Sequence, residues 1–357
     1  MSTTDTLAIN KILNTVAERR ATDIHFVVGS KPYVRIKEKL INLEDEQMIT
    51  PEVMAGIVNF FINEALENKL KENQELKFVY DWLGKARFRV HIFKQKGYHS
   101  VSLKMVNGHI RALEDLGLPE TIKELANSPK GLFFISGPFN SGRSGTLNSL
   151  LQFINQTRAE RIFYLEEPVE QLFVNDKSII EQREVGRDVD SFAAGLAAVK
   201  DEDVDVVAVA KVEGEEVLET LLELAESGRL VLAVLNYDSS AAALDGIVSE
   251  FSDAKIQWAR NVLAEFLLGL VVQRLVPTVD GEVILVAEVL RVTNAIRSVI
   301  LEGNFSQLEN IIYTSKGEGL ISLDRSLLEL VNQGRITAEE AVKNAIEPQT
   351  VRTLLKR

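Results

Sequence analysis

The residues whose spacing carries the most chemistry are "GPFNSGRS", Gly137 to Ser144. They have the form G-x-x-x-x-G-K-[ST] of a phosphate-binding loop, in which backbone N–H groups cradle phosphates, a lysine reaches the outer phosphates and a hydroxyl holds Mg²⁺. Gly137, Pro138, Ser141, Gly142, Arg143, Ser144, Gly145 and Thr146 fill the nucleotide-binding positions, with Ser144 as the Mg²⁺ ligand if nucleotide binds. Arg143 stands where the pattern has lysine. Arginine keeps the charge but is planar and forked, so it cannot sit as a compact point charge between β- and γ-phosphates. A plain strand–turn–helix junction would use the same glycines for geometry alone. The neighbouring segments have to separate these readings.

The apolar run "GLFFIS" predicts a strand leading into the loop, and "SGTLNSLLQFINQ" a helix leaving it, with Leu147, Leu150, Leu151 and Ile154 at helical spacing. A loop at a helix N-terminus is where backbone donors and the helix dipole favour an anion. Further short apolar runs, "RIFYLEE", "VDVVAVA", "RLVLAVLN" and "EVILVAEVL", alternate with amphipathic helices. That alternation predicts an α/β sheet of parallel strands over residues 120–357, with a helical region from about 293.

Residues 1–106 read as a separate mixed α+β domain. "TDIHFVVG" and "YVRIKEKL" are each expected as one strand, and "ITPEVMAGIVNFFINEALENKL" as one helix with Thr50 as N-cap and Pro51 in its first turn. In "ARFRVHIF", Phe88, Val90 and Ile92 alternate with Arg87, Arg89 and His91, so the strand buries one set and presents the other. "YHSVSLKMV" repeats this and places Lys104 on the polar side, so two strands share a basic face. Polar, glycine-bearing residues 107–119 are the expected linker.

The 357 residues exceed one small core and fit two domains. A net charge of −12 argues against sequence-independent binding of nucleic acid, and the absence of cysteine excludes a disulfide framework or a cysteine-ligated zinc. "STTDTLAINK" lacks the apolar core of a signal peptide. The most apolar run, "VLAEFLLGLVV" at 262–272, holds 11 residues including Glu265, far short of a membrane span. A soluble, cytoplasmic protein is expected.

With these residues in hand, the chain resembles the PilT-like pilus-retraction ATPases of the type II/type IV secretion superfamily over nearly its whole length. "GPFNSGRSGTL", "YLEEPVE", "IIEQREVGRDVDSFAAGL" and "AESGRLVLAVLNYDSSAA" carry the resemblance, and the "QREVGRD…SF" block is the most specific. It implies a PAS-like N-terminal domain, a RecA-like ATPase domain binding ATP and Mg²⁺, and a hexameric cytoplasmic ring with the site shared between subunits. It also implies work beside the inner-membrane platform of a type IV pilus in twitching motility, as a homo-hexamer or co-assembled with an active retraction ATPase. In "YLEEPVE", Glu166 takes the general-base position and Glu167 replaces an aspartate. Arg87 and Arg89 match arginines acting on a neighbouring subunit, with Lys104 in place of a further one.

Four positions depart from the family pattern. Besides Arg143, the glutamate closing the second acidic element is Lys211, and the two histidines of the histidine box are Arg229 and Asn236. A positive charge within ~5 Å of a metal costs a few kcal/mol even at an effective dielectric of about 20, and ~3 kcal/mol in the transition state is a hundredfold in rate. The four histidines, His25, His91, His99 and His109, all precede the ATPase-type domain. The expected function is a non-hydrolysing or weakly active regulatory ring subunit. The alternative is an active motor with a rewired site, in which Lys211 reaches the phosphates. The extension and type II secretion branch fits less well, because its members usually carry a four-cysteine element.

Overall fold

The computed structural model describes residues 3–19, 21–36, 39–106, 108–315 and 318–356. The chain divides into two compact units, residues 1–109 with 168–172, and residues 110–167 with 173–357.

The first unit opens with α1 (Thr3–Glu18), followed by β1 (Asp23–Phe26), β2 (Tyr33–Ile36), β3 (Lys39–Asn42), α2 (Pro51–Phe61), α3 (Glu64–Asn73), β4 (Glu75–Trp82), β5 (Ala86–Gln95) and β6 (Tyr98–Val106). The six strands form an antiparallel sheet in the order β3-β2-β1-β6-β5-β4. The alternation of β5 and β6 is realised: Phe88, Val90, Ile92, Val101 and Leu103 enter the core with Leu13 and Val16 of α1 and Met54, Val58 and Phe61 of α2. Arg89 and Lys104 are cross-strand partners, so the basic face is one surface.

Two sequence expectations fail here. "YVRIKEKL" yields two strands, β2 and β3, paired antiparallel, while residues 37 and 38 of that stretch lie outside the described residues. The single helix expected from residue 50 is two. Thr50 caps α2 through the Val53 N–H at 3.3 Å, but Ile62 is extended and Asn63 starts α3 by accepting from the Leu66 N–H at 3.0 Å. A competent N-cap inside a helical pattern restarts the helix, because its short side chain satisfies the orphan donors of the new first turn.

The second unit contains a 3-10 turn at Leu113–Leu116, then α4 (Glu120–Ala126), β7 (Gly131–Ser136), α5 (Arg143–Thr157), β8 (Arg161–Glu166), β9 (Ile179–Glu184), α6 (Phe192–Val199), β10 (Val206–Val209), α7 (Glu215–Glu226), β11 (Leu230–Val234), α8 (Ser240–Ser249), α9 (Asp253–Phe266), β12 (Leu267–Pro277), β13 (Val283–Arg291), α10 (Asn294–Glu302), α11 (Leu308–Thr314), α12 (Leu323–Asn332), α13 (Ala338–Asn344) and α14 (Pro348–Leu354). Its sheet runs β13-β12-β7-β11-β10-β8-β9. All neighbours are parallel except β12 and β13, which form an antiparallel edge. The all-parallel expectation therefore fails at that edge, where the turn after Pro277 joins two strands directly.

The inner strands β7, β10 and β11 are buried on both faces, which is why they read as apolar runs. Leu132 and Phe134 of β7 pack toward α6 through α10, whereas Phe133 and Ile135 pack toward α4 and α5. Within the stretch expected as a linker, Leu113 is buried in that second core. The last helices pack their own cluster, including Leu323, Leu327 and Val351, against Val276 and Val286.

Candidate functional site

β7 ends at Ser136 and the chain turns through Gly137–Gly142 into the 15-residue α5. Three loop residues have positive φ: Gly137 at 146°, Asn140 at 68° and Gly142 at 85°. A Cβ on Gly137 would lie 2.3 Å from the Gln273 carbonyl oxygen and 2.6 Å from Ser141 Oγ, so no side chain fits there. Asn is among the few non-glycine residues that tolerate the left-handed region.

The loop is held from β12. Gln273, fully buried, donates from Nε2 to the Ser141 carbonyl at 2.8 Å and accepts at Oε1 from the Thr146 hydroxyl at 2.8 Å. One amide thus fixes the loop and the first turn of α5. Sequence reading missed Gln273; a polar residue inside the apolar run "LGLVVQRLV" was the signal. Ser141 is 2% exposed and its Oγ has no hydrogen-bond partner among the described residues. Gly142, at the N-cap of α5, supplies no side-chain cap. A buried hydroxyl without a partner, a cradle that admits no Cβ and an uncapped helix N-terminus fit a phosphate group. Gly145, Ser144 and Gly142 are exposed at the rim, while Thr146 is turned inward to Gln273. Pro138 accepts at its carbonyl from the Ser141 N–H at 3.2 Å, closing the turn.

Arg143 does not extend from the loop. Its Nη1 donates to Asn236 Oδ1 at 2.9 Å and to the Leu235 carbonyl, just beyond β11. Burial pulls the guanidinium below its ordinary value, against the opposing charge of Asp238. Ser136 Oγ clips the same segment, donating to the Tyr237 carbonyl at 2.8 Å and accepting from the Tyr237 N–H at 2.9 Å.

The carboxylates follow β8. Glu166 is 4% exposed and accepts at Oε1 from Gln182 Nε2 of β9 at 2.9 Å. Burial foremost, then the charge of Glu166, pushes the Tyr164 phenol well above its ordinary value, and its hydroxyl donates to Asn148 of α5 at 2.9 Å. A carboxylate held in this way is oriented, as a general base must be. Glu167 is exposed, and Lys211, which follows β10, lies with Nζ 3.9 Å from Glu167 Oε2 and 2.9 Å from Glu213 Oε2. Lys211 therefore faces the acidic side chains rather than turning away from them. Among the described residues no group of three or more His, Asp or Glu side chains could hold a metal ion. An ammonium between Glu167 and Glu213 does not fit Mg²⁺, which needs oxygen ligands in near-octahedral array.

The parallel strands sort the four departures. Asn236, Lys211 and the phosphate loop all follow the carboxyl ends of their strands, where open α/β sheets bind ligands. Arg229 does not belong with them. It precedes β11, whose first residue pairs with Gly131 at the start of β7, so it lies a strand's length, roughly 15 Å, from the loop. Its guanidinium donates to the carbonyls of Lys200 and Glu202 at 3.1 and 3.0 Å. Grouping Arg229 with the site is thus corrected by strand direction.

In the first unit, Arg87 donates to the carbonyls of Glu170 at 2.8 Å and Val169 at 3.3 Å, and Arg89 pairs with the Glu170 carboxylate. Burial pulls the Arg89 guanidinium below its ordinary value. Lys104 is exposed. His25 contacts Ser102 and His91 contacts Glu75, both within this unit.

A glycine loop between a central parallel strand and a long helix, with carboxylates following the carboxyl ends of other parallel strands of the same sheet, defines a RecA-like phosphate-loop protein. The chain belongs to the family described as type II/IV secretion system protein, whose model matches residues 4–343. It is 30% identical over 341 residues to the type IV pilus retraction ATPase PilT of Pseudomonas aeruginosa, covering 96% of this chain and 99% of that one. It is 29% identical to the type IV pilus ATPase PilU of the same organism, over 98% of this chain and 92% of that one. The solved pilus retraction motor PilT with bound ADP superposes with a TM-score of 0.89 at 32% identity, covering 96% of this chain and 98% of that one. No helix among the described residues is long and apolar enough to cross a membrane.

Proposed function

We propose that this chain is a nucleotide-binding subunit of a type IV pilus-type machine whose own hydrolysis is absent or slow, and that it regulates or completes a ring. The single observation carrying the reading is that the cation of the phosphate loop is anchored at Leu235 and Asn236, while the loop itself keeps its geometry. Binding is supported by the cradle and by the ADP-bound relative; impaired turnover is supported by Arg143 and by Lys211 beside Glu167. Arg87, Arg89 and Lys104 are the groups this reading assigns to contact with a neighbouring subunit of a hexamer, either of this chain or of an active retraction ATPase. Work at the cytoplasmic side of the pilus machinery follows from the same reading.

The test is nucleotide binding and ATP hydrolysis on the wild type beside the Arg143→Lys, Lys211→Glu double variant. Binding in both, with turnover rising at least about a hundredfold in the variant, corresponds to roughly 3 kcal/mol of transition-state stabilisation restored. Ordinary magnesium-dependent turnover in the wild type would rule the reading out.

A further inference from the structure

Resting on the nucleotide reading above, we propose that Lys211 is a tethered replacement for the divalent cation, so that the site takes a nucleoside di- or triphosphate without metal. The ammonium lies 2.9 Å from Glu213 Oε2 and 3.9 Å from Glu167 Oε2, at the carboxyl end of β10. It lies between two acidic side chains, and two carboxylates with one ammonium leave a single net negative charge. A divalent ion entering beside that ammonium meets its repulsion, and both carboxylates beside it already face the ammonium. An ammonium carries three donors on a flexible stem, enough to bridge both carboxylates and still present a proton to a phosphate oxygen. Lys211 and Glu167 are both about half exposed, so exchanging one partner for an incoming anion costs little ordered structure.

The experiment is calorimetric titration of the full chain with ADP, once with EDTA and once with MgCl2, on wild type, Lys211→Glu and Lys211→Met. Wild-type affinity is expected to change by less than about threefold between the two buffers, a small step on a scale where tenfold is about 1.4 kcal/mol. Lys211→Glu is expected to bind at least about tenfold tighter with Mg²⁺ than with EDTA, and Lys211→Met to weaken in both buffers without a metal response. A wild type that loses tenfold or more on chelation overturns the proposal and leaves the nucleotide reading standing. Equal behaviour of all three proteins reduces Lys211 to a surface ion pair and overturns it too. No ADP binding in either buffer removes the nucleotide reading, and this inference with it.

Discussion

Arg143 Nη1 donates to Asn236 Oδ1 at 2.9 Å, so two of the positions that depart from the family pattern are bonded to each other. They are 93 residues apart in sequence, and only the parallel pairing of β7 and β11 brings the ends of their strands together. A guanidinium is obliged to find planar acceptors, and the Leu235 carbonyl with the Asn236 amide oxygen supplies two on one side. The substitutions are therefore one arrangement, and their effects on nucleotide should not add independently.

Asn236→Ala leaves Arg143 with the Leu235 carbonyl alone. The expected outcome is release of the guanidinium toward the loop and nucleotide binding tighter by about three- to tenfold, since one hydrogen bond of ~1 kcal/mol no longer competes. Folding stability should fall by about 0.5–1.5 kcal/mol from the same loss. Titration with a fluorescent nucleotide and a urea melt measure both. An affinity that stays put would mean the anchor does not compete with phosphate.

Gln273→Leu keeps the volume of the β12 side chain and removes both loop contacts. The Thr146 hydroxyl and the Ser141 carbonyl then lose their partner in a buried site, at about 1–3 kcal/mol for each group. A drop of several kcal/mol in urea unfolding and loss of nucleotide binding are expected together. A stable variant that still binds would show that Gly137 and Gly142 hold the loop without help from β12.

How much of this was legible follows from burial. The runs "GLFFIS" and "RLVLAVLN" read correctly because strands covered on both faces are apolar at every position. β9 was hidden, since an edge strand of sequence "IIEQRE" is only partly buried and mostly polar. β12 was hidden for the opposite reason: α9 and β12 meet at Phe266 and Leu267 inside one apolar stretch, where periodicity cannot separate helix from strand. At the site, the loop and Lys211 were visible in the motifs. Gln273 showed only as a polar residue in an apolar run; what it clamps did not, because its partner Ser141 is 132 residues away. Arg229 looked like a site residue until strand direction was known, although its position before an apolar run already placed it at the far end of a parallel strand.

Glu288 of β13 is buried and accepts from the Ser240 N–H at 2.8 Å at the start of α8. Burial pushes its carboxyl up to about 7; the Ser240 donors oppose this, and the charges of Glu309 and Asp324 add to it. The folded chain thus holds this proton more tightly than the unfolded chain, whose carboxyl has the ordinary value of 4.5. Stability from this group is full below pH 4.5, falls as pH rises through the interval to about 7 and is lost above it. The gap corresponds to about 3 kcal/mol. Glu288→Gln keeps an acceptor for Ser240 and cannot ionise, so it should exceed the wild type by less than about 1 kcal/mol at pH 5 and by up to about 3 kcal/mol at pH 8. Urea melts of both proteins at the two pH values give the comparison, and parallel pH profiles would mean that Glu288 does not titrate in this interval.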